Sequence, residues 1–125
     1  MTYYGIAAYS EGVHTVVETP SFIRGAMEEG LDETLRARIV LKVAAEPQAG
    51  DLIRETGGLR KLRFAGRGKG KSGGYRVITA YIGETAPVFL LALYGKGRKA
   101  DLTGAERASF KAWMDAMKKS HGGKR

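Results

Sequence analysis

The chain has no cysteine among its 125 residues, which excludes disulfides and thiolate chemistry and fits a reducing cytosol. No apolar run approaches the roughly 20 residues needed to cross a bilayer. The first stretch, Met1 to Glu11, has no basic n-region and carries an acid early, so it makes a poor signal peptide. The expected location is therefore cytoplasmic, away from any membrane. Histidine is scarce. His14 and His121 sit near opposite ends of the chain, which argues against a histidine acid–base pair, and both read as bland surface residues. Acids are nearly missing from one long stretch: between Gly57 and Lys99 the sole carboxylate is Glu84. A magnesium-dependent nuclease needs several carboxylates together, so no metal and no other cofactor is expected.

What fills that stretch is positive charge. Arg60, Lys61, Arg63, Arg67, Lys69, Lys71, Arg76, Lys96, Arg98 and Lys99 all fall within it, giving a local charge of +9 in a chain of net +8. The preceding 56 residues carry five basic against nine acidic side chains, so the charge is localised rather than spread. Such a patch attracts polyanions through Coulomb forces and counterion release. With 43% hydrophobic and 27% charged residues the composition is ordinary for a globular protein. The expected organisation is one domain over residues 1–125: an extension over 1–12, the body over 13–119 and a disordered tail over 120–125.

Periodicity sets out the elements. Val13 to Glu18 alternates as a short strand. Thr19-Pro20 reads as an N-cap with proline at the first helical position, opening a helix with Phe22, Ile23, Ala26 and Met27 as its apolar stripe. Asp32 opens a second helix with Leu35, Ile39 and Val43 on one face, ended by Pro47. These helices hold most of the acids, which places them away from the basic surface. Gln48 to Gly58 reads as a connection anchored by Leu52 and Ile53. Leu59–Phe64 is a strand with Lys61 and Arg63 on one face and Leu62 and Phe64 on the other. A glycine-rich loop over 66–74 leads to a hairpin of Tyr75–Ile82 and Pro87–Tyr94. Val88 to Leu93 has no polar alternation, the pattern of a central strand covered on both faces. Thr103-Gly-Ala-Glu106 is a capping box opening a last helix with Phe110, Trp113, Met114 and Met117.

Ala65-Gly-Arg-Gly-Lys-Gly-Lys-Ser72 approximates a phosphate loop, but glycines and a β-rich segment follow where that motif requires a helix N-terminus. Nucleotide hydrolysis is rejected on that ground. Any chemistry must run on lysine, arginine and tyrosine. It is feasible on RNA, where attack of a 2′-OH on the adjacent phosphorus needs a base, an acid for the leaving 5′-oxygen and stabilisation of developing charge. The plainer reading is that all ten cations merely hold phosphate backbone.

Five segments carry a family resemblance: Thr19-Pro-Ser-Phe22, Ala49-Gly-Asp-Leu-Ile53, Gly57-Gly-Leu-Arg-Lys-Leu-Arg63, Gly74-Tyr-Arg76 and Leu93-Tyr-Gly-Lys96. Together, over about Val16 to Met117, the chain resembles the RelE/HigB toxins of bacterial type II toxin–antitoxin systems, most of all the HigB-like branch. The resemblance implies a compact α/β (α+β) fold: an antiparallel sheet of about four strands, two N-terminal helices packed on it, and a C-terminal helix. It implies a metal-independent, ribosome-dependent mRNA endonuclease that inhibits translation, neutralised by a helix-turn-helix, HigA-like antitoxin. The partners implied are that antitoxin, the ribosome and mRNA, with no small-molecule substrate.

Carried onto this sequence, the catalytic set is Lys61, Arg63, Arg76, Tyr94 and Lys96, with Tyr94 and Lys96 both candidates for the general acid. Arg60, Arg67, Lys69, Lys71, Arg98 and Lys99 make up the RNA-binding set. Two other readings stand beside this one: a ParE-like inhibitor of DNA gyrase on a related fold, and a plain RNA-binding module.

Overall fold

The unalternating run Val88 to Leu93 lies within a central strand, and the remaining elements are arranged around it. A computed structural model describes residues 4–7, 14–66, 74–95, 97 and 101–121, the first of these segments in backbone only. In chain order the elements are β1 (Tyr4–Ala7), β2 (Val16–Glu18), α1 (Pro20–Glu28), α2 (Glu33–Ala45), β3 (Asp51–Leu52), β4 (Leu59–Phe64), β5 (Tyr75–Tyr81), β6 (Val88–Gly95) and α3 (Gly104–His121). Among the described residues the strands form one six-stranded sheet in the order β1-β2-β6-β5-β4-β3. All neighbours are antiparallel except β2 and β6, which run parallel.

Helices cover both faces. Phe22, Ile39, Val40, Val43 and Ala44 of α1 and α2 pack against Leu62, Val77, Leu90 and Leu93 on one side. On the other, Met114 joins Leu59, Ile78, Ala80 and Phe89, with Phe110 and Trp113 against them. The Trp113 ring meets Phe89 edge-on with centroids 5.1 Å apart.

The α1 N-terminus does more than cap a helix. Thr19 Oγ1 accepts from Phe22 N and donates to the Leu90 carbonyl at 2.8 Å, while Ser21 Oγ donates to the carbonyl of Leu91. Those carbonyls lie at a β-bulge: Ile78 pairs with Ala92 but Thr79 pairs with Leu90, leaving Leu91 as the extra residue. A bulge disrupts the ladder locally, and Thr19 and Ser21 supply partners there. Gly25 lets α1 sit directly on β6, since a Cβ at that position would collide with the Leu93 carbonyl oxygen.

Several expectations need correction. The sheet has six strands rather than about four, because Tyr4–Ala7 pairs as an edge strand and Asp51–Leu52 adds another at the far side. The strand expected from Val13 starts at Val16 and is buried at all three positions, having β1 and β6 as neighbours and helices on its faces. Met27 is 73% exposed, because the contact face of α1 is the Phe22, Gly25 and Ala26 row. Leu52 is 62% exposed on its edge strand, and Ile53 alone packs inward. α3 continues through Ser120 and His121, where a tail was expected. His14 is not a bland surface residue. It is half-buried, with Nε2 3.0 Å from the Ala86 carbonyl and 3.2 Å from that of Gly83, which ties the entrance of β2 to the β5–β6 turn.

Glu18 closes β2 and is buried beneath α2. Arg36 donates from Nε to its Oε1 at 2.6 Å. Burial pushes the Glu18 carboxyl up, and the Arg36 hydrogen bond and charge pull back against that shift.

Candidate nucleic-acid interface

Strand register assembles the site. Arg63 of β4 lies directly opposite Arg76 of β5, which in turn lies opposite Tyr94 of β6. In an antiparallel ladder, directly opposed residues share a face, so these three side chains form one row on the α3 side of the sheet. Lys61 is two residues before Arg63 and therefore on the same face, about 7 Å along the strand. The bulge at Leu91 is what brings Tyr94 into the row. Without the extra residue, alternation from Phe89 would turn Leu93 to this face and Tyr94 to the other.

α3 covers the Leu59, Ile78 and Phe89 part of this face, and the cationic row lies toward its N-terminal end. Burial grades the row. Arg63 is exposed, the Lys61 side chain is 22% exposed, and Arg76 and Tyr94 are each 5% exposed. Two arginines in directly opposed positions repel, so packing gives no reason for Arg63 to face Arg76. Local rules broken in this way are characteristic of functional surfaces.

The α3 N-terminus contributes groups that the sequence reading did not place here. Asp101 Oδ1 lies 3.3 Å from Lys61 Nζ and accepts from Leu102 N at 3.0 Å. Partial burial pushes the Asp101 carboxyl up, but the Leu102 N–H and the Lys61 and Arg107 charges outweigh it and leave the group below its usual range. Tyr94 moves the other way. Burial, then the Asp101 carboxylate, pushes its hydroxyl up to about 12 against the opposing charge of Arg76. At neutral pH Tyr94 therefore carries its proton and serves as a donor, not as a base. The capping box forms as expected, with Glu106 Oε1 accepting from Thr103 N at 2.9 Å and Thr103 Oγ1 from Glu106 N at 3.1 Å. The Glu106 charge adds to the upward push on Tyr94, and the Arg107 charge to the downward pull on Asp101.

The remaining expected residues divide in two. Arg60 points to the opposite face, where its Nη1 donates to the Gly50 carbonyl at 3.0 Å, so it stands apart from Lys61 and Arg63. Lys96, Arg67, Lys69, Lys71, Arg98 and Lys99 lie outside the described residues. Among the described residues no three His, Asp or Glu side chains gather as a metal-ligand set. A concavity of about 340 Å³ opens on the α2 side between Leu31, Arg38, Gly66 and Tyr75. It lies across the sheet from the cationic row, whose accessible part is Arg63 and, to a lesser degree, Lys61.

The architecture is thus a small α+β domain, a helix-flanked sheet with a cationic row at one end of its central strands. Residues 15–123 match the family model described as the RelE toxin of the RelE/RelB toxin–antitoxin system, and the chain belongs to that family. Membership implies a cognate antitoxin as partner.

Proposed function

We propose that this chain is a ribosome-dependent mRNA endonuclease that inhibits translation without a metal ion. The observation that carries the reading is the cross-strand row Arg63–Arg76–Tyr94, in which like charges are held face to face on a rigid sheet. In this account exposed Arg63 and partly exposed Lys61 meet the RNA phosphate first. Arg76 lies behind them in a drier environment, where its charge acts more strongly on the developing phosphorane. Arginine's planar fork suits paired phosphoryl oxygens in a way that lysine does not. Tyr94, protonated at neutral pH, supports proton delivery toward the leaving 5′-oxygen, and Lys96 is the second candidate for that role. The partners follow from the same reading: mRNA on the ribosome as substrate, and an antitoxin of the helix-turn-helix, HigA-like type as inhibitor.

Induced expression in bacteria, followed by mapping of mRNA 5′ ends, tests the proposal. Cuts in phase with codons are expected, and they should be lost in an Arg63→Ala, Arg76→Ala double variant. Intact mRNA accompanied by induction of the DNA-damage response would replace this reading with a ParE-like action on gyrase.

A further inference from the structure

Beside Lys61, the same face holds a further cation, Arg107, that the proposed chemistry does not use. Lys61 Nζ, from β4, lies 3.3 Å from Asp101 Oδ1, and the charge of Arg107, from the opening turn of α3, adds to the pull that holds the Asp101 carboxyl down. The Leu102 peptide fixes the arrangement: its N–H donates to Asp101 Oδ1 at 3.0 Å, and its carbonyl accepts from Arg107 Nη2 at 3.5 Å. That last distance is at the limit of a hydrogen bond, and Arg107 Nε is buried with no partner among the described residues. Arg107 is half-buried as a whole, and a guanidinium with donor capacity left over is better satisfied when an anion uses it. Asp101 is a poor anion for this position. Its side chain is 55% exposed, and its contact with Lys61 is a 3.3 Å ion pair of the readily exchanged surface kind. A phosphodiester is broader than a carboxylate and has more acceptor oxygens to span two cations.

We propose that Lys61 and Arg107 form a second phosphate-binding position beside the Arg63–Arg76 row, and that the Asp101 carboxylate holds it until an RNA backbone phosphodiester displaces it. This rests on the RNA reading above. The spacing suits it: Lys61 and Arg63 lie about 7 Å apart along β4, on the scale of one extended nucleotide step. Adjacent phosphates of a single strand would then occupy adjacent positions. Asp101 also imposes selectivity, because an anion must offer more than one carboxylate's worth of contact to take its place.

Binding of a short 2′-O-methylated RNA, followed by fluorescence anisotropy over a salt series, tests this without requiring cleavage. Asp101→Asn keeps an oxygen to accept the Leu102 N–H, so the turn persists while the competing charge is removed. It should bind about 2–5-fold tighter, the range of a surface ion pair. Arg107→Ala should bind more weakly, with a salt slope shallower by about 0.7, as for one lost phosphate contact on a single strand. Arg107→Lys should restore the slope, which separates charge from any loss of folding. An Asp101→Asn variant whose affinity is unchanged or weaker would overturn the proposal alone. A wild-type chain that does not bind the RNA at all would remove both this proposal and the reading on which it rests.

Discussion

Replacing Arg36 by alanine strands the Glu18 carboxylate under α2. In the intact protein the pair is short, 2.6 Å, with the Glu18 side chain 6% exposed and Arg36 32% exposed. Breaking a buried ion pair from one side costs about 3–5 kcal/mol. The partial exposure of Arg36 lets water reach the vacated end, so the expected loss at pH 7 is nearer 2–3 kcal/mol. With a urea slope of roughly 1–3 kcal/mol/M, the unfolding midpoint should fall by about 1 M or more. The pH dependence is the sharper test. The Glu18 carboxyl is already raised above 4.5 by burial, and loss of Arg36 raises it further. A group raised in the folded state contributes stability at low pH that is lost as pH rises through its folded value. The deficit of Arg36→Ala should therefore shrink as pH falls from 7 toward 4.5, where a neutral Glu18 no longer needs its counterion. Urea titrations of both proteins at several pH values give the comparison. A deficit of the same size at pH 7 and near pH 4.5 would refute the reasoning, as would one below about 0.5 kcal/mol at pH 7, the scale of an ordinary surface change.

Gly25→Ala forces a methyl into the Leu93 carbonyl, backbone against backbone, so thermal or urea unfolding should show a loss above about 2 kcal/mol, despite alanine's better helix propensity. A neutral or stabilised variant would mean that α1 does not sit on β6 as described. Tyr94, with a hydroxyl pushed up to about 12, should be among the last tyrosines to ionise in an ultraviolet titration. Its raised value favours the folded state up to pH 10 and loses that effect as pH climbs through about 12. Tyr94→Phe should remove the late ionisation step, and its persistence in the variant would assign it to another tyrosine.

The parts legible in the sequence were those written in local pattern. The alternation of Leu59–Phe64 put Lys61 and Arg63 on one face, the capping box marked the start of α3, and the apolar run of β6 announced a strand covered on both sides. The same run concealed the bulge, because residues that are all apolar give no sign of which one is extra, and so the alignment of Tyr94 with Arg76 was not derivable from spacing. The parallel pairing of β2 with β6 joins positions about 70 residues apart and leaves no local trace. Asp101 was passed over for a similar reason. Its contact with Lys61 spans 40 residues, and nothing in Asp101-Leu-Thr-Gly distinguishes it from a residue that merely precedes a helix cap. Arg60 shows the opposite failure: it reads as one more cation of the patch, yet strand alternation alone turns it to the other face.

The central claim is that the Arg63–Arg76–Tyr94 row performs RNA cleavage and does not merely dock the backbone. Single-turnover cleavage of mRNA on saturating ribosomes, comparing Arg76→Ala and Arg76→Lys with the wild type, tests it most directly. The account predicts that Arg76→Ala is slower by roughly 10²–10³-fold, the range for losing one preorganised donor to a charged transition state. Arg76→Lys should also be markedly slow, since it keeps the charge but loses the fork. Ribosome affinity should change far less in both, because the other cations of the patch remain. Variants that cleave at the wild-type rate once saturated, and are impaired only in binding, would contradict the claim and make the row a docking surface.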